Sequence, residues 1–234
     1  MKKVAVVILN WNGRRLLEEF LPSVCRHTPD YAEVVIADNG STDDSIAYLR
    51  RQFPSVRLIL LDRNYGFAEG YNRALSRIDG EYAVLLNSDV EVPSGWLDPM
   101  VKYVETHPDT AACQPVIRSY RERNRFEHAG AAGGFLDKYG FPFCQGRVFD
   151  TVEEDRGQYN KVTDLFWATG ACLFVRVADY FRAGGLDSSF FAHMEEIDLC
   201  WRLHLLGKRI VLIPESRVFH LGGASLAAGN PRKT

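Results

Sequence analysis

Asn87, Ser88 and Asp89 close the apolar run Val84-Leu85-Leu86 and lead into Val90-Glu91-Val92. Alternate side chains of an extended strand share a face, so Asn87 and Asp89 project together. An amide and a carboxylate on one rim can hold a hard cation and leave positions free for phosphate oxygens. The same residue types also suit a plain polar turn. Glu195-Glu196-Ile197-Asp198 crowds carboxylates into what reads as the first turn of a helix, where the dipole favours anions. An ionised Glu there can take a proton from a hydroxyl; the bland alternative is charge decoration of a helix end. Asp38 ends another apolar run and can accept a hydrogen bond from a base or ribose, or serve as an ordinary turn carboxylate. Asn64-Tyr65-Gly66 opens a helix whose free N–H groups suit an anion, or whose glycines serve close packing. His220 stands alone late in the chain, as structural histidines often do. Joined to Asp89, it would complete a mixed oxygen and nitrogen site suited to Mn²⁺ or Mg²⁺.

Positioning these groups needs a scaffold, and the hydrophobic pattern supplies one. Apolar runs at 4–9, 33–37, 56–61 and 81–86 read as strands, separated by a helix after Gly13, a helix from Thr42 and a helix at 66–78. The first helix carries Leu16, Leu17, Phe20, Leu21 and Val24 on one face, and Pro22 is expected to kink or shorten it. Ser41 is expected to cap the second helix, with Asp43 and Asp44 in its first turn. Strands and helices that alternate with short links form a parallel sheet with right-handed crossovers. Ligands of such sheets sit beyond the carboxyl ends of the strands. Those ends are Asn10, Asp38, Asp62 and the stretch from Asn87 to Asp89, all polar.

A helix at 94–107 and a strand at 111–117 follow. Residues 118–163 lose all periodicity and read as a long excursion with a hairpin in it; long ordered loops of this kind are usually functional. Aromatics between 126 and 167, namely Phe126, Phe135, Tyr139, Phe141, Phe143 and Trp167, suit either stacking on sugar rings or local packing. Regular structure resumes with an alternating stretch at 164–175, helices at 177–183 and 195–206, and a strand at 209–213. No linker marks a second domain. The expectation is one α/β domain over 1–223, divided into a nucleotide-binding half (1–117) and an acceptor half (118–223), with a frayed tail at 224–234.

The chain has 234 residues and a net charge of −2, which gives no basic field for nucleic acid. Gly-x-Gly-x-x-Gly does not follow the first strand, and no Gly-x-x-x-x-Gly-Lys-Ser/Thr occurs, so a P-loop is excluded and a dinucleotide site disfavoured. Five cysteines without a Cys-x-x-Cys pair argue for free thiols rather than a disulfide framework or a zinc centre, with Cys25, Cys172 and Cys200 buried among apolar neighbours. No segment approaches the length of a membrane span. A cytoplasmic protein is expected, with contact at the inner face of the membrane left open, as is a homodimer.

Val6-Val7-Ile8-Leu9-Asn10-Trp11-Asn12-Gly13, Ala37-Asp38-Asn39-Gly40-Ser41-Thr42-Asp43, Asn64-Tyr65-Gly66-Phe67, Leu86-Asn87-Ser88-Asp89-Val90 and Glu195-Glu196-Ile197-Asp198-Leu199-Cys200-Trp201-Arg202 together resemble the family 2 glycosyltransferases, and within them the rhamnosyltransferase-like branch. The matches run in order through nearly the whole chain. The resemblance implies a GT-A fold: a Rossmann-like, mostly parallel sheet flanked by helices, with a smaller mixed sheet on the acceptor side. It implies inverting transfer from a TDP-, UDP- or GDP-sugar to a glycan or lipid-linked acceptor, assisted by Mg²⁺ or Mn²⁺. By the same likeness Asn10, Asp38, Asn64 and Gly66 lie around the donor. Asn87-Ser88-Asp89 stands where the family has Asp-x-Asp, with Asp89 on the metal, and His220 matches a late histidine at metal or diphosphate. Glu196, after Glu195, matches the catalytic carboxylate, and Thr169-Gly170-Ala171 a loop between donor and acceptor. Two departures stand out: Asn87 replaces the first Asp of the triplet, and Glu196 the commoner Asp. The Gln-x-x-Arg-Trp pattern of processive members is absent, which favours addition of one sugar at a time. A sugar nucleotidyltransferase and a non-catalytic nucleotide- or sugar-binding protein are the alternatives.

Overall fold

The computed structural model describes residues 2–128, 130–149, 151–190 and 193–222. In chain order the elements are β1 (Val4–Asn10), α1 (Arg14–His27), β2 (Ala32–Asn39), α2 (Ser45–Gln52), β3 (Arg57–Leu61), α3 (Gly66–Leu75), β4 (Tyr82–Leu86), β5 (Val90–Glu91), α4 (Asp98–Thr106) and β6 (Thr110–Ser119). They continue as β7 (Gly134–Leu136), β8 (Pro142–Cys144), β9 (Arg147–Val148), β10 (Thr151–Val152), β11 (Thr163–Asp164), β12 (Cys172–Arg176), α5 (Val177–Arg182), α6 (Glu195–Leu205) and β13 (Arg209–His220).

β1 to β4 pair in parallel in the order β4-β1-β2-β3, as alternating strands and helices require. Their successive side chains face opposite ways. Val4, Val6 and Ile8 join a core with Leu17, Leu21, Val24, Leu49 and Met100 from α1, α2 and α4. Ala5 and Val7 join a second core with Tyr71 from α3, Tyr180 from α5 and Leu199 and Leu203 from α6. The sheet is therefore covered on both faces, which is why its central strands lack polar residues until they end. Beyond β4 the sheet turns mixed and continues β12-β6-β13-β11, with β12 antiparallel to both β4 and β6.

Several local expectations are corrected. α1 runs through Pro22 to His27, because Leu17, Phe20, Leu21 and Val24 are all buried and hold it against the sheet. α2 begins at Ser45, and Ser41 does not cap it. The Ser41 hydroxyl instead accepts the Asn12 N–H at 2.9 Å, and the Asp43 carboxylate accepts the Ser45 N–H at 3.1 Å. The last strand does not stop at 213 but reaches His220 across an irregularity between Ile213 and Arg217. All five cysteines are free, as expected, but Cys25 is only half-buried. The expected tail at 224–234 lies outside the described residues.

The excursion is built from two small sheets, β7-β8 and β9-β10. β7 is fastened to the stretch before β12: the Trp167 indole N–H donates to Phe135 O at 3.0 Å, and a Cβ at Gly134 would lie 2.0 Å from the indole ring. Gly134→Ala therefore forces a shift of backbone or indole. Overpacking of this kind costs about 1–3 kcal/mol. Denaturant melts of wild type and Gly134→Ala check this; equal midpoints would mean that the contact yields freely.

Candidate active site

The register of β1 with β2 sets Asn10 opposite Asp38, and that of β1 with β4 sets Ile8 opposite Leu86. Asn10 and Asp38 thus share a rim with the turn from Asn87 to Asp89, as the sequence predicts. Asn10 Nδ2 donates to Asp38 Oδ1 at 2.8 Å and to the hydroxyls of Ser41 and Ser45 at 3.1 Å each. Asp38 Oδ2 accepts the Ser41 N–H at 3.0 Å. Asn10 and Asp38 are both buried, and Asn10 Oδ1 has no protein partner.

Beside them, Asn39 Nδ2 donates to Asn64 Oδ1 at 3.0 Å, and Asn39 Oδ1 accepts the Tyr65 N–H at 2.9 Å. Asn64 Oδ1 also accepts the Gly66 N–H at 2.8 Å. The start of α3 is thus partly satisfied by these asparagines, since Gly66 donates its N–H to Asn64 and accepts from Asn39 Nδ2 at 2.9 Å. Gly66 has a φ of +76°, a conformation that glycine adopts without steric cost.

The segment Thr169-Gly170-Ala171 joins two of the predicted clusters. Ala171 O accepts the Asn87 N–H at 3.0 Å, and the Gly170 N–H lies close enough to the Glu196 carboxylate to favour its charged form against the effect of burial. Asn87 and Glu196 therefore stand on either side of one short segment, though 109 positions separate them in the sequence. That segment is held from behind: the Thr169 N–H donates to Gln114 Oε1 at 2.9 Å, and the Thr169 hydroxyl accepts the Ala171 N–H at 3.2 Å. Ser88 is half-buried beside it.

Asp89 is buried, and Nε2 of His220 lies 3.1 Å from its Oδ1. The link follows from topology. The end of β13 pairs antiparallel with β5, setting His220 opposite Val90. The other ring nitrogen, Nδ1, lies 3.2 Å from Glu127 Oε2. Burial works against a charged imidazole here, but the hydrogen bonds to Asp89 and Glu127 outweigh it and raise the His220 pKa to about 10. Glu127 is the residue that sequence reading missed. It sits where periodicity fails, and its one sequence signal is a glutamate amid apolar and small residues. Gly222, at a φ of +69°, lies against it so closely that a Cβ would come within 2.6 Å of Oε1.

Glu195 and Glu196 begin α6, after two consecutive residues in left-handed conformation, His193 (φ +71°) and Met194 (φ +73°). Such residues cost on the order of 1–3 kcal/mol each and persist where surrounding structure imposes them. Oε2 of each glutamate is buried without a partner. Burial raises both pKa values, Glu195 to about 8 with the Glu196 charge as a second cause.

Among the described residues, no group of three or more His, Cys, Asp or Glu side chains is arranged to hold a metal ion alone. Asp89 offers an oxygen, and His220 a nitrogen only where a cation displaces the Nε2 proton that its raised pKa otherwise retains. Glu127 on the far ring nitrogen is the kind of partner that fixes the tautomer of a ligating imidazole. The set fits a cation that takes its remaining positions from a ligand's oxygens.

The glycosyl transferase family 2 model matches residues 5–177, and the chain belongs to that family of glycosyltransferases. It is 27% identical over 230 residues to the N-acetylglucosaminyl-diphospho-decaprenol L-rhamnosyltransferase of Mycobacterium tuberculosis, covering 92% of this chain and 75% of the relative. It is 27% identical to rhamnosyltransferase WbbL of Escherichia coli, over 67% of this chain and 61% of that one. Of solved structures, GalNAc-T7 with UDP, GalNAc and Mn²⁺ matches with a TM-score of 0.74 at 18% identity, over 94% of this chain and 44% of that one. The Pyrobaculum calidifontis mannosyltransferase PcManGT with GDP-Man and Mn²⁺ matches with a TM-score of 0.64 at 20% identity, over 94% and 56%. The chain thus spans about half the length of these solved relatives. No described helix is long and apolar enough to cross a membrane.

A pH test of stability follows from the glutamate pair. The unfolded chain loses the Glu195 proton near its ordinary value of 4.5, the folded chain near 8. Between these values the folded state binds more protons, so stability falls as pH rises through the window. Glu195→Gln removes that slope. Its melting temperature should exceed that of wild type at pH 8, but not below the ordinary value, with each kcal/mol relieved adding about 2–4 °C. Parallel melting profiles for the two proteins would mean that Glu195 ionises freely in the fold.

Proposed function

We propose that this chain transfers a hexose or deoxyhexose from a nucleotide-sugar donor to a hydroxyl of a glycan or lipid-linked acceptor, one sugar at a time and with inversion. The observation that carries the reading is the placement of Glu196: a carboxylate with a buried, unpartnered oxygen, joined through Gly170 and Ala171 to the rim of Asn87. Its raised pKa suits a general base, which works best when its pKa approaches the operating pH. Glu196 accepts the acceptor hydroxyl's proton as that oxygen attacks the anomeric carbon on the face opposite the leaving diphosphate. Glu195, its neighbour, also has a raised pKa, about 8, and so keeps the local charge low. Asn10 and Asp38 receive the nucleoside, Asn64 and Gly66 shape the adjoining wall, and Thr169 and Gly170 separate donor from acceptor.

The donor's diphosphate is an anion, and the pocket is rich in carboxylates. Like charges that close to one another repel. Mg²⁺ or Mn²⁺, held by Asp89 and His220, would supply the offsetting charge at the leaving group. Ser88 and Asn87 line that side. A neutral Asn87 removes one of the charges that the family usually brings to the cation. Both matched relatives are named as rhamnosyltransferases, and one name includes a lipid-linked diphospho-decaprenol acceptor. These names support a deoxyhexose donor and an acceptor of that kind.

Two measurements test the proposal. Glu196→Gln should lower acceptor-dependent turnover by about 10²–10⁴-fold while leaving donor binding in place; near-normal turnover removes Glu196 from the role. Titration of UDP, TDP and GDP, with and without Mn²⁺, should show one nucleotide bound more tightly with the metal, and Asp89→Ala should abolish that gain. Metal-independent binding of equal strength would exclude Asp89 and His220 as ligands.

A further inference from the structure

The excursion ends in a tip that the proposed chemistry does not use. The β7-β8 hairpin turns at Asp137-Lys138-Tyr139-Gly140-Phe141, and its aromatic side chains point into solvent: Tyr139 is 75% and Phe141 69% exposed. Phe143 is also exposed, stacked on Phe135 at a centroid distance of 5.6 Å. One turn further along the chain, Val148 and Phe149 are exposed as well, Phe149 to 89%. Exposed apolar residues scattered singly need no explanation, but a run of this kind marks a site of interaction.

We propose that this hairpin tip inserts into the interfacial layer of an anionic membrane. Its polar groups are already satisfied. Asp137 Oδ1 accepts the N–H groups of Tyr139 and Phe141 at 2.8 and 2.9 Å, and Asp137 O accepts that of Gly140 at 3.0 Å. The Asp137 N–H in turn donates to Phe141 O at 3.0 Å. A turn whose backbone donors are internally bonded escapes the main cost of leaving water. Tyr and Phe suit the boundary between head groups and acyl chains. Lys138, with its ammonium 4.9 Å from the Tyr139 ring centroid, can reach back to head-group phosphates; Arg147, whose Nη1 lies 2.6 Å from His128 Nδ1, adds a second positive charge nearby.

Most acids nearby are offset: Asp137 adjoins Lys138, Glu154 pairs with Arg156 and Asp155 with Arg118, while Glu153 keeps its charge and accepts from the Tyr159 hydroxyl. A second copy of the chain is a poorer occupant. A convex tip with a handful of apolar side chains falls far short of the 20–30 residues per side that a stable protein interface uses. The base of the hairpin is fastened through Trp167 to the stretch that leads to Thr169 and Gly170. A tip seated in a bilayer would therefore hold the acceptor side of the cleft near the lipid surface.

The test is co-sedimentation of the full chain with vesicles of phosphatidylcholine, with and without phosphatidylglycerol. Wild type should bind the mixed vesicles, and more weakly the neutral ones. The double variant Tyr139→Ser/Phe141→Ser should lose about tenfold or more in partitioning. Phe149→Ser, separately, shows whether the next turn takes part. Unchanged nucleotide binding and an unchanged thermal melt establish that each variant is folded. Wild type remaining in the supernatant, or a double variant that binds as wild type does, overturns the proposal. So does a concentration-dependent dimer that the double variant abolishes, which would make the tip a self-association site. Vesicle binding involves no sugar transfer, so it stands or falls independently of the role assigned to Glu196.

Discussion

One imidazole shared between two buried carboxylates governs this molecule. Asp89 and Glu127 come from the turn after β4 and from the excursion, and each lies against a different nitrogen of His220 on β13. Charges out of reach of water are tolerated only in company. The three segments must therefore meet at one point, and their meeting fixes how the irregular half of the chain sits on the regular half. The start of α6 is built the other way: Glu195 and Glu196 each bury an oxygen without a partner, and the charge of Glu196 helps to raise the Glu195 pKa.

Much of this was legible in the sequence for a physical reason. Strands buried on both faces are apolar until they end, so the residues that break each run mark the rim. Asn10, Asp38 and Asn87 to Asp89 are such breaks, and the parallel register sets them side by side. Glu195 and Glu196 were legible because helix N-termini attract carboxylates. What the pattern could not reveal was convergence. Glu196 reaches Asn87 only through Gly170 and Ala171, and no periodicity spans that distance. Glu127 was invisible for the same reason: the residues around it follow neither helical nor strand spacing, and its importance comes from a histidine 93 positions away.

The local misreadings share a cause. Ser41 had the right chemistry for a helix cap, yet its hydroxyl is engaged by Asn10 and Asn12, so α2 begins later. Pro22 had the right chemistry to shorten a helix, yet the buried face of α1 outweighs the lost hydrogen bond and the helix continues to His27. In both places tertiary contacts override a sound local preference. The two left-handed residues before α6 belong with them. Met194 has no intrinsic liking for that conformation, and the fold imposes it just before the glutamate pair.

β13 has a consequence for how the protein is made. It lies between β11 and β6 rather than at an edge, although among the described strands it is the last in the chain. During synthesis every other strand leaves the ribosome first, and β6 waits with one side unpaired. An open edge of that kind invites pairing with a neighbouring nascent chain. Until His220 emerges, Asp89 and Glu127 must also remain hydrated, which keeps the cleft loose. The rim of Asn10 and Asp38 can form early, whereas the contacts of Asp89 and Glu127 with His220 form only once residue 220 has emerged.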